Sequence, residues 1–394
     1  MIFLLVMNTG KYIFSQVVSF LDPNDFKKCV DKHKGNYKVK TFSCWHQLLC
    51  MMFGQLGNRD SLSDLLLCLN TQQKSWYHLG LGNSISKSNL AYANEHRNWR
   101  IFSDFASVLI SQARNISEEK SDLKFVSENP VYAIDTTTID LCLSVFWWAK
   151  FRKQKAAVKL HTQLDIKTEI PCFIHITDGK IHEVNVLDII LYETGGFYIM
   201  DRGFVDFERL FRIEQNKAYF VTRAKINMNF RRVYSVKADK TNGVLCDQTI
   251  MLVNYYAEKE YPQHLRRIKY FDDETQKTFV FLTNNFELSA LQVTLLYKHR
   301  WKIELFFKWI KQHLKVKSFW GYSENAVKIQ VYCAIISFLT VAIMKYKLKL
   351  KQTNYEILQI LSMTLLNKIP INQLFQDASL QNFKEQNYNQ LKMF

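Results

Sequence analysis

Three carboxylates carry the most distinctive chemistry in this sequence. Asp135 lies inside the β-branched run AIDTTTIDL, Asp201 closes the apolar run GGFYIM, and Glu304 lies within YKHRWKIELFFKWIKQ, residues 297–312. An acid in a strand is costly to bury unless it is paired or bound to a cation, and in open sheets ligands gather at the carboxyl ends of strands. Glu304 is the single acid among cations and aromatics. A helix through this segment, at 100° per residue, places Tyr297, Arg300, Glu304, Lys308, Lys311 and Lys315 within an arc of roughly 80°. Ile303, Phe307, Ile310 and Leu314 occupy the adjoining face, suited to packing on a sheet. Neighbouring cations keep a carboxylate ionised, as a hard-metal ligand must be, and the cations themselves suit phosphates. Two strands and a helix would thus supply an all-oxygen site for Mg²⁺, with Mn²⁺ as a substitute. Two such ions would activate a water or 3′-hydroxyl and stabilise the leaving oxygen in phosphodiester cleavage.

Weaker candidates lie near these acids. Lys159 and His161, in VKLH, and Arg202, next to Asp201, are possible DNA contacts, with packing or an ion pair as the alternative for each. Asp188 and Asp206 read as helix-surface or capping acids. Asp140 shares a strand with Asp135 but points to the opposite face. The basic run KYKLKLK (Lys345–Lys351) reads as a solvated helix end or a DNA contact.

The elements that must position the acids follow from texture. Residues from about 8 to 114 are mainly helical; SLSDLLLCLN and SKSNLAYANEHRNW each open on a Ser suited to capping. They flank the turn-rich HLGLGNSI, as in a helical DNA-binding unit or an ordinary helical domain. Asn115–Pro130 is a polar linker. From Val131, VYAIDTTTIDLC, AAVKLHTQLDIKT and IPCFIHITDGK read as strands and HEVNVLDIILYE as a helix. GGFYIMDRG is a strand, VDFERLFRIEQ a helix and AYFVTRAK a fifth strand. Three meandering strands followed by αβαβ is the order of the ribonuclease-H-like fold. RRVYSVKA, QTIMLVNYYAE, LRRIKYFDD and KTFVFLTNN then form a β-rich insertion.

The expected fold class is therefore α/β: a ribonuclease-H-like catalytic core, a mixed sheet flanked by helices, interrupted by the β insertion. The expected domains are a helical N-terminal DNA-binding domain at 1–120, the first part of the core at 130–225, and the insertion at 226–288. The last part of the core follows at 289–345 and a helical C-terminal region at 346–394.

Composition narrows the class. The 394 residues carry 52 Lys+Arg against 36 Asp+Glu, a net charge of +16, which favours a polyanionic partner. The eight cysteines include no CxxC pair and no zinc-module spacing, as in reduced, buried thiols of a cytosolic protein. The opening MIFLLV lacks a basic n-region and a cleavage site, so a signal peptide is not expected. Ile329–Met344 is short for a bilayer span and reads as a buried core helix, and no membrane partner is expected.

The residues also match a family. Tyr297-x2-Arg300-x3-Glu304-x6-Lys311 has the spacing of the YREK signature of bacterial insertion-sequence DDE transposases, and the chain resembles insertion-sequence family four. AIDTTTIDL, YIMDRGFVDF, YFVTRAK and LTNNF support the match. GKYIFSQVVSFLD and KVKTFSCWHQLLCMMFGQLGNR resemble the N-terminal domain common in such proteins, so the likeness covers nearly the whole chain. It implies Asp135, Asp201 and Glu304 as the metal-binding catalytic triad, and Tyr297, Arg300 and Lys311 as phosphate contacts near the cleaved end. It further implies cut-and-paste transposition: binding of terminal inverted repeats in double-stranded DNA, Mg²⁺-dependent cleavage, and joining of 3′ ends to target DNA. A homodimer in a synaptic complex and a bacterial cytoplasmic, nucleoid-associated location go with it. Relatives with an inserted β-domain use a hairpin step assisted by a Trp, but no Trp occurs here between Asp201 and Trp301. Two alternatives remain open: a catalytically silent or domesticated DNA-binding relic, and a ribonuclease-H-like nuclease without strand transfer.

Overall fold

In the computed structural model, which describes residues 10–376 apart from 72, 74–75, 82–84, 118–122, 143, 145, 153–154 and 314–318, apolar periodicity in the first hundred residues becomes a set of helices. They are α1 (Ile13–Val18), α2 (Pro23–Lys32), α3 (Cys44–Leu56), α4 (Leu62–Asn70), α5 (Lys87–His96) and α6 (Arg100–Ile116). Ser61 and Ser86 cap α4 and α5, accepting 3.1 Å hydrogen bonds from the backbone N–H of Asp64 and Asn89. Each such cap contributes about 1 kcal/mol. The opening MIFLLV, and Leu314 and Lys315 of the expected helix faces, lie outside the described residues.

The β-branched texture from Val131 becomes one mixed sheet. Its first strands are β1 (Val131–Leu141), β2 (Lys150–Arg152), β3 (Lys155–Asp165) and β4 (Pro171–Asp178). Next come β5 (Phe197–Met200), helix α7 (Phe207–Gln215) and β6 (Tyr219–Arg223). β3 pairs antiparallel with β1 on one side, and with β4 and β2 on the other. β5 is parallel to β1, and β6 to β5. The resulting order, β4-β3-β1-β5-β6, matches the expected ribonuclease-H-like core. The run HEVNVLDIILYE departs from the sequence reading, because only Glu183–Asp188 coils, as a 3-10 helix. Val186, Leu187 and Ile190 are buried there and Leu191 is exposed, so one short turn buries the stripe. The Tyr192 hydroxyl, donating to the Leu187 carbonyl at 2.8 Å, holds the chain that leaves it.

The insertion strands β7 (Phe230–Val236), β8 (Val244–Leu252), β9 (Leu265–Asp272) and β10 (Lys277–Thr283) extend that same sheet. β10 pairs antiparallel with β6, and the order continues β10-β9-β8-β7, with short helix α8 (Tyr255–Glu260) after β8. The insertion is thus a lateral extension joined to the core sheet through β10, with β7 to β9 pairing in turn beyond it. Helices α9 (Ala290–Lys298) and α10 (Trp301–His313) follow, then α11 (Glu324–Lys347) and α12 (Asn354–Thr364). The apolar run Ile329–Met344 lies in α11, and 94% of that helix's most apolar window is buried, as befits a core helix. Two compact units result: Glu119–Phe307, with the sheet, α7, α8, α9 and the start of α10, and Met1–Glu118 with Lys308–Phe394, with α1 to α6, the rest of α10, α11 and α12.

Candidate active site

Strand register brings the first two acids together. In the parallel β1–β5 pair Ile134 stands opposite Met200, so the next residues, Asp135 and Asp201, lie at the same level of adjacent strands. Asp201 ends β5 and caps the following 3-10 turn, its carboxylate accepting from the Arg202 N–H. The Thr222 hydroxyl on β6 donates to the Asp201 carbonyl at 3.1 Å and fixes where β5 stops. One Asp135 oxygen accepts from the Thr136 N–H at 2.8 Å.

The third acid arrives differently from the sequence expectation. The segment 297–312 is two helices rather than one: Tyr297 lies in α9, His299 and Arg300 form the connection, and Glu304 lies in the first turn of α10. Three tightened i to i+3 bonds make the break, from the N–H groups of Arg300, Lys302 and Ile303 to the carbonyls of Tyr297, His299 and Arg300. The break aims Arg300 at the acids. Its Nη1 donates to Asp135 at 3.1 Å and its Nη2 to Glu304, so one guanidinium bridges the strand acid and the helix acid. Arg300 also lies over the Tyr297 ring, 5.7 Å from its centroid.

These contacts sit in a poorly solvated place. The side chains of Asp135 and Arg300 are 18% and 15% exposed, and that of Glu304 is 33% exposed. Burial pushes the Asp135 carboxyl up to about 6; the Thr136 N–H and Arg300 pull it back, while Asp201 and Glu304 push it further up. Burial depresses Arg300, but Tyr297, Asp135 and Glu304 more than offset this, so the guanidinium stays charged. Burial raises the Tyr297 hydroxyl, with Arg300 opposing and Asp201 reinforcing the rise. The three acids therefore share one electrostatic neighbourhood, which a nearby cation would stabilise.

Comparison with known proteins identifies the family. A family described as Transposase DDE domain matches residues 127–339, more than half of the chain and all three acids. The chain belongs to the DDE transposases. A transposase named y4zB from Sinorhizobium fredii is 32% identical over 63% of this chain and 68% of its own length. A transposase of insertion sequence element IS5377 from Geobacillus stearothermophilus is 29% identical over 57% of this chain and 59% of its own. A transposase of element IS4SA from Synechocystis is 25% identical over 66% and 71%. Residues 9–82 match a further family known only as a domain of unknown function.

In this transposase the weaker candidates separate. His161 is buried, its Nδ1 2.8 Å from the Thr136 hydroxyl and its Nε2 2.8 Å from the Thr177 hydroxyl. Thr136 follows Asp135 in the strand, so His161 lies on the face opposite the acid. Burial, His175 and Lys159 hold His161 down to about 4, so it is neutral at pH 7. Lys159 is also buried, donating to the Ile181 carbonyl at 2.8 Å and lying 3.8 Å from Glu183. Neither side chain offers a free surface charge. Arg202 is exposed and has no ion-pair partner among the described residues. Lys311 is half-buried farther along α10, in the helical unit. Asp206 caps α7 through the Arg209 N–H, and Asp188 pairs with Arg209 and Arg212 at 2.7 and 2.8 Å, in the structural roles expected of them.

The structure adds residues that sequence pattern passed over. Arg223 ends β6, the parallel neighbour of β5, and its charge reaches the Tyr297 hydroxyl. Thr162 stands directly across β3 from Asp135, and its hydroxyl is buried without a hydrogen bond, as is Arg300 Nε. A basic residue after a short apolar strand was the available signal for Arg223. Thr162 had none.

Divalent-metal use is general among DDE domains. Among the described residues no group of three or more His, Cys, Asp or Glu is drawn close enough to hold an ion as it stands, and Arg300 lies between two of the acids. The donors nevertheless fit a hard cation: all are carboxylate oxygens, burial and two neighbouring acids hold Asp135 up despite Arg300, and an unpartnered hydroxyl adjoins it.

Proposed function

We propose that this chain is the transposase of an insertion sequence that cuts and joins DNA with Asp135, Asp201 and Glu304. The observation that carries the reading is that Asp135, inside β1, and Asp201, just past the end of β5, lie level on adjacent parallel strands, with Glu304 tied to Asp135 through Arg300. Bound Mg²⁺ would neutralise phosphate charge and lower the pKa of the attacking water or hydroxyl. The three carboxylates would hold it. Tyr297, Arg300, Arg202 and Arg223 ring the acids and suit a phosphodiester backbone. In hydrolysis a P–O bond to water forms and the P–O3′ bond breaks, the leaving 3′-oxygen taking up the proton water loses. In strand transfer that 3′-oxygen bonds to a target phosphorus, whose own P–O3′ bond breaks and whose freed 3′-oxygen takes up the proton. The Tyr-Arg-Glu-Lys spacing through Lys311 supports placement in insertion-sequence family four. Terminal inverted repeats, a dimeric synaptic complex and a bacterial cytoplasmic, nucleoid-associated setting complete the reading, with a helical DNA-binding domain preceding the core.

The test uses purified protein, Mg²⁺ and labelled duplex carrying the inverted repeats that flank the coding region. Cleavage should disappear in Asp135→Ala, Asp201→Ala and Glu304→Ala while duplex binding persists. Cleavage at the parent rate in any one of the three removes that residue from the triad.

A further inference from the structure

The helical unit contains a cleft of about 470 Å³ between the loop joining α2 to α3 and the end of α5. It lies partly in the segment matched only to a domain of unknown function. Its lining includes Lys34, Tyr37, Lys40, Tyr92, His96 and Arg97, and no acidic residue among those described. Asp104, which contacts the lining residue His33 at 2.9 Å, is paired with Lys32 at 2.7 Å.

The cleft is preformed. Arg97 Nη1 donates to the Ser43 carbonyl at 2.9 Å and to Gln47 Oε1 at 3.0 Å, and Nη2 donates to the Phe42 carbonyl, pinning the loop to α5. Asn36 accepts from the Cys44 N–H at 2.8 Å. A Cβ on Gly35 would fall 2.4 Å from Ile101 Cδ1, so the loop lies flush on the core. Two groups then face outward. Tyr92 and His96, one turn apart on α5, stack at 4.0 Å with their planes within 16°, and both are exposed, as is Tyr37. Lys34 and Lys40 are exposed and have no ion-pair partner among the described residues.

Stacked exposed rings beside unpaired lysines suit a nucleobase with its flanking phosphates. A duplex hides base faces and offers only edges, whereas an unpaired strand presents both face and phosphate. We infer that this cleft binds unpaired DNA, with Tyr92–His96 and Tyr37 stacking on a base and Lys34 and Lys40 meeting the adjoining phosphates. The inference extends the DNA-handling reading above but stands on residues outside the acidic site.

The test is fluorescence anisotropy of a labelled twelve-residue oligothymidine with the full chain, without divalent metal and over a salt series. Tyr92→Ala should weaken binding about 5- to 150-fold, the range for loss of one stacked base, while Tyr92→Phe should stay within about twofold. Lys34→Ala with Lys40→Ala should lower the salt slope by about 1.4, from two lost phosphate contacts. Parent affinity in Tyr92→Ala, equal loss in Tyr92→Phe, or an unchanged slope in the lysine variant overturns the inference. Asp201→Ala should bind the oligonucleotide like the parent, so loss of cleavage there and loss of strand binding in Tyr92→Ala are separate results. A parent chain that cuts duplex ends but ignores the oligonucleotide overturns the cleft and leaves the cleavage reading intact.

Discussion

Replacing Asp135 with Asn should stabilise the metal-free protein and abolish cleavage, and the stabilisation should depend on pH. An ordinary aspartate titrates near 3.8, whereas burial and the neighbouring acids hold Asp135 at about 6. A folded value above the unfolded one means the charged form is penalised in the native state. The penalty is absent below the unfolded value, grows between pH 4 and 6, and is complete above 6. The difference corresponds to about 3 kcal/mol at pH 8 and about half of that at pH 5. Asn keeps the shape and an oxygen for the Thr136 N–H, and Arg300 keeps Glu304. Urea denaturation with EDTA should therefore show Asp135→Asn more stable than the parent at pH 8, its midpoint higher by on the order of 1 M. The gap should narrow at pH 5. A variant no more stable than the parent at pH 8, or one with an equal gain at both pH values, would refute the electrostatic account. Such a gain on losing a functional charge is the usual mark of strain held at a reactive site.

His161 should behave in the opposite sense. Its folded value of about 4 lies below the ordinary 6.5, so the parent loses stability as pH falls through that interval, by up to about 3 kcal/mol. His161→Gln should flatten that loss in denaturation curves between pH 7 and 4.5 and leave the salt slope of duplex binding unchanged. Arg300→Gln removes the cation shared by Asp135 and Glu304. Mn²⁺ binding to the DNA-free protein, followed by electron paramagnetic resonance, should tighten on the order of tenfold; equal or weaker binding would argue against Arg300 as the standing counter-ion.

How far the sequence anticipates these features depends on how local each one is. Asp135 and Asp201 were legible because strand periodicity is a local pattern, and the order of three meandering strands before αβαβ places the two strands as neighbours. The caps Ser61 and Ser86 were legible for the same reason. The break at His299–Arg300 was not, because helical periodicity continues across it and only tightened hydrogen bonds reveal it. Residues Glu183–Asp188 misled because one buried apolar stripe serves a 3-10 turn as well as an α-helix. His161 lies on a strand buried on both faces, where apolar parity gives no direction; its bond to Thr136 settles the face. Arg223 and Thr162 gain meaning only from register, which pairs residues distant in sequence.

The sheet's order also bears on synthesis. During translation β1 and β5 can pair only after residue 200 has left the ribosome, and that pairing sets two acids side by side. The helix bearing Glu304 is synthesised only after β7 to β10. A chain that stops before residue 304 thus carries only two of the three carboxylates. Long-range pairing of this kind also folds slowly, so a delay separates synthesis of the polypeptide from assembly of its three acids.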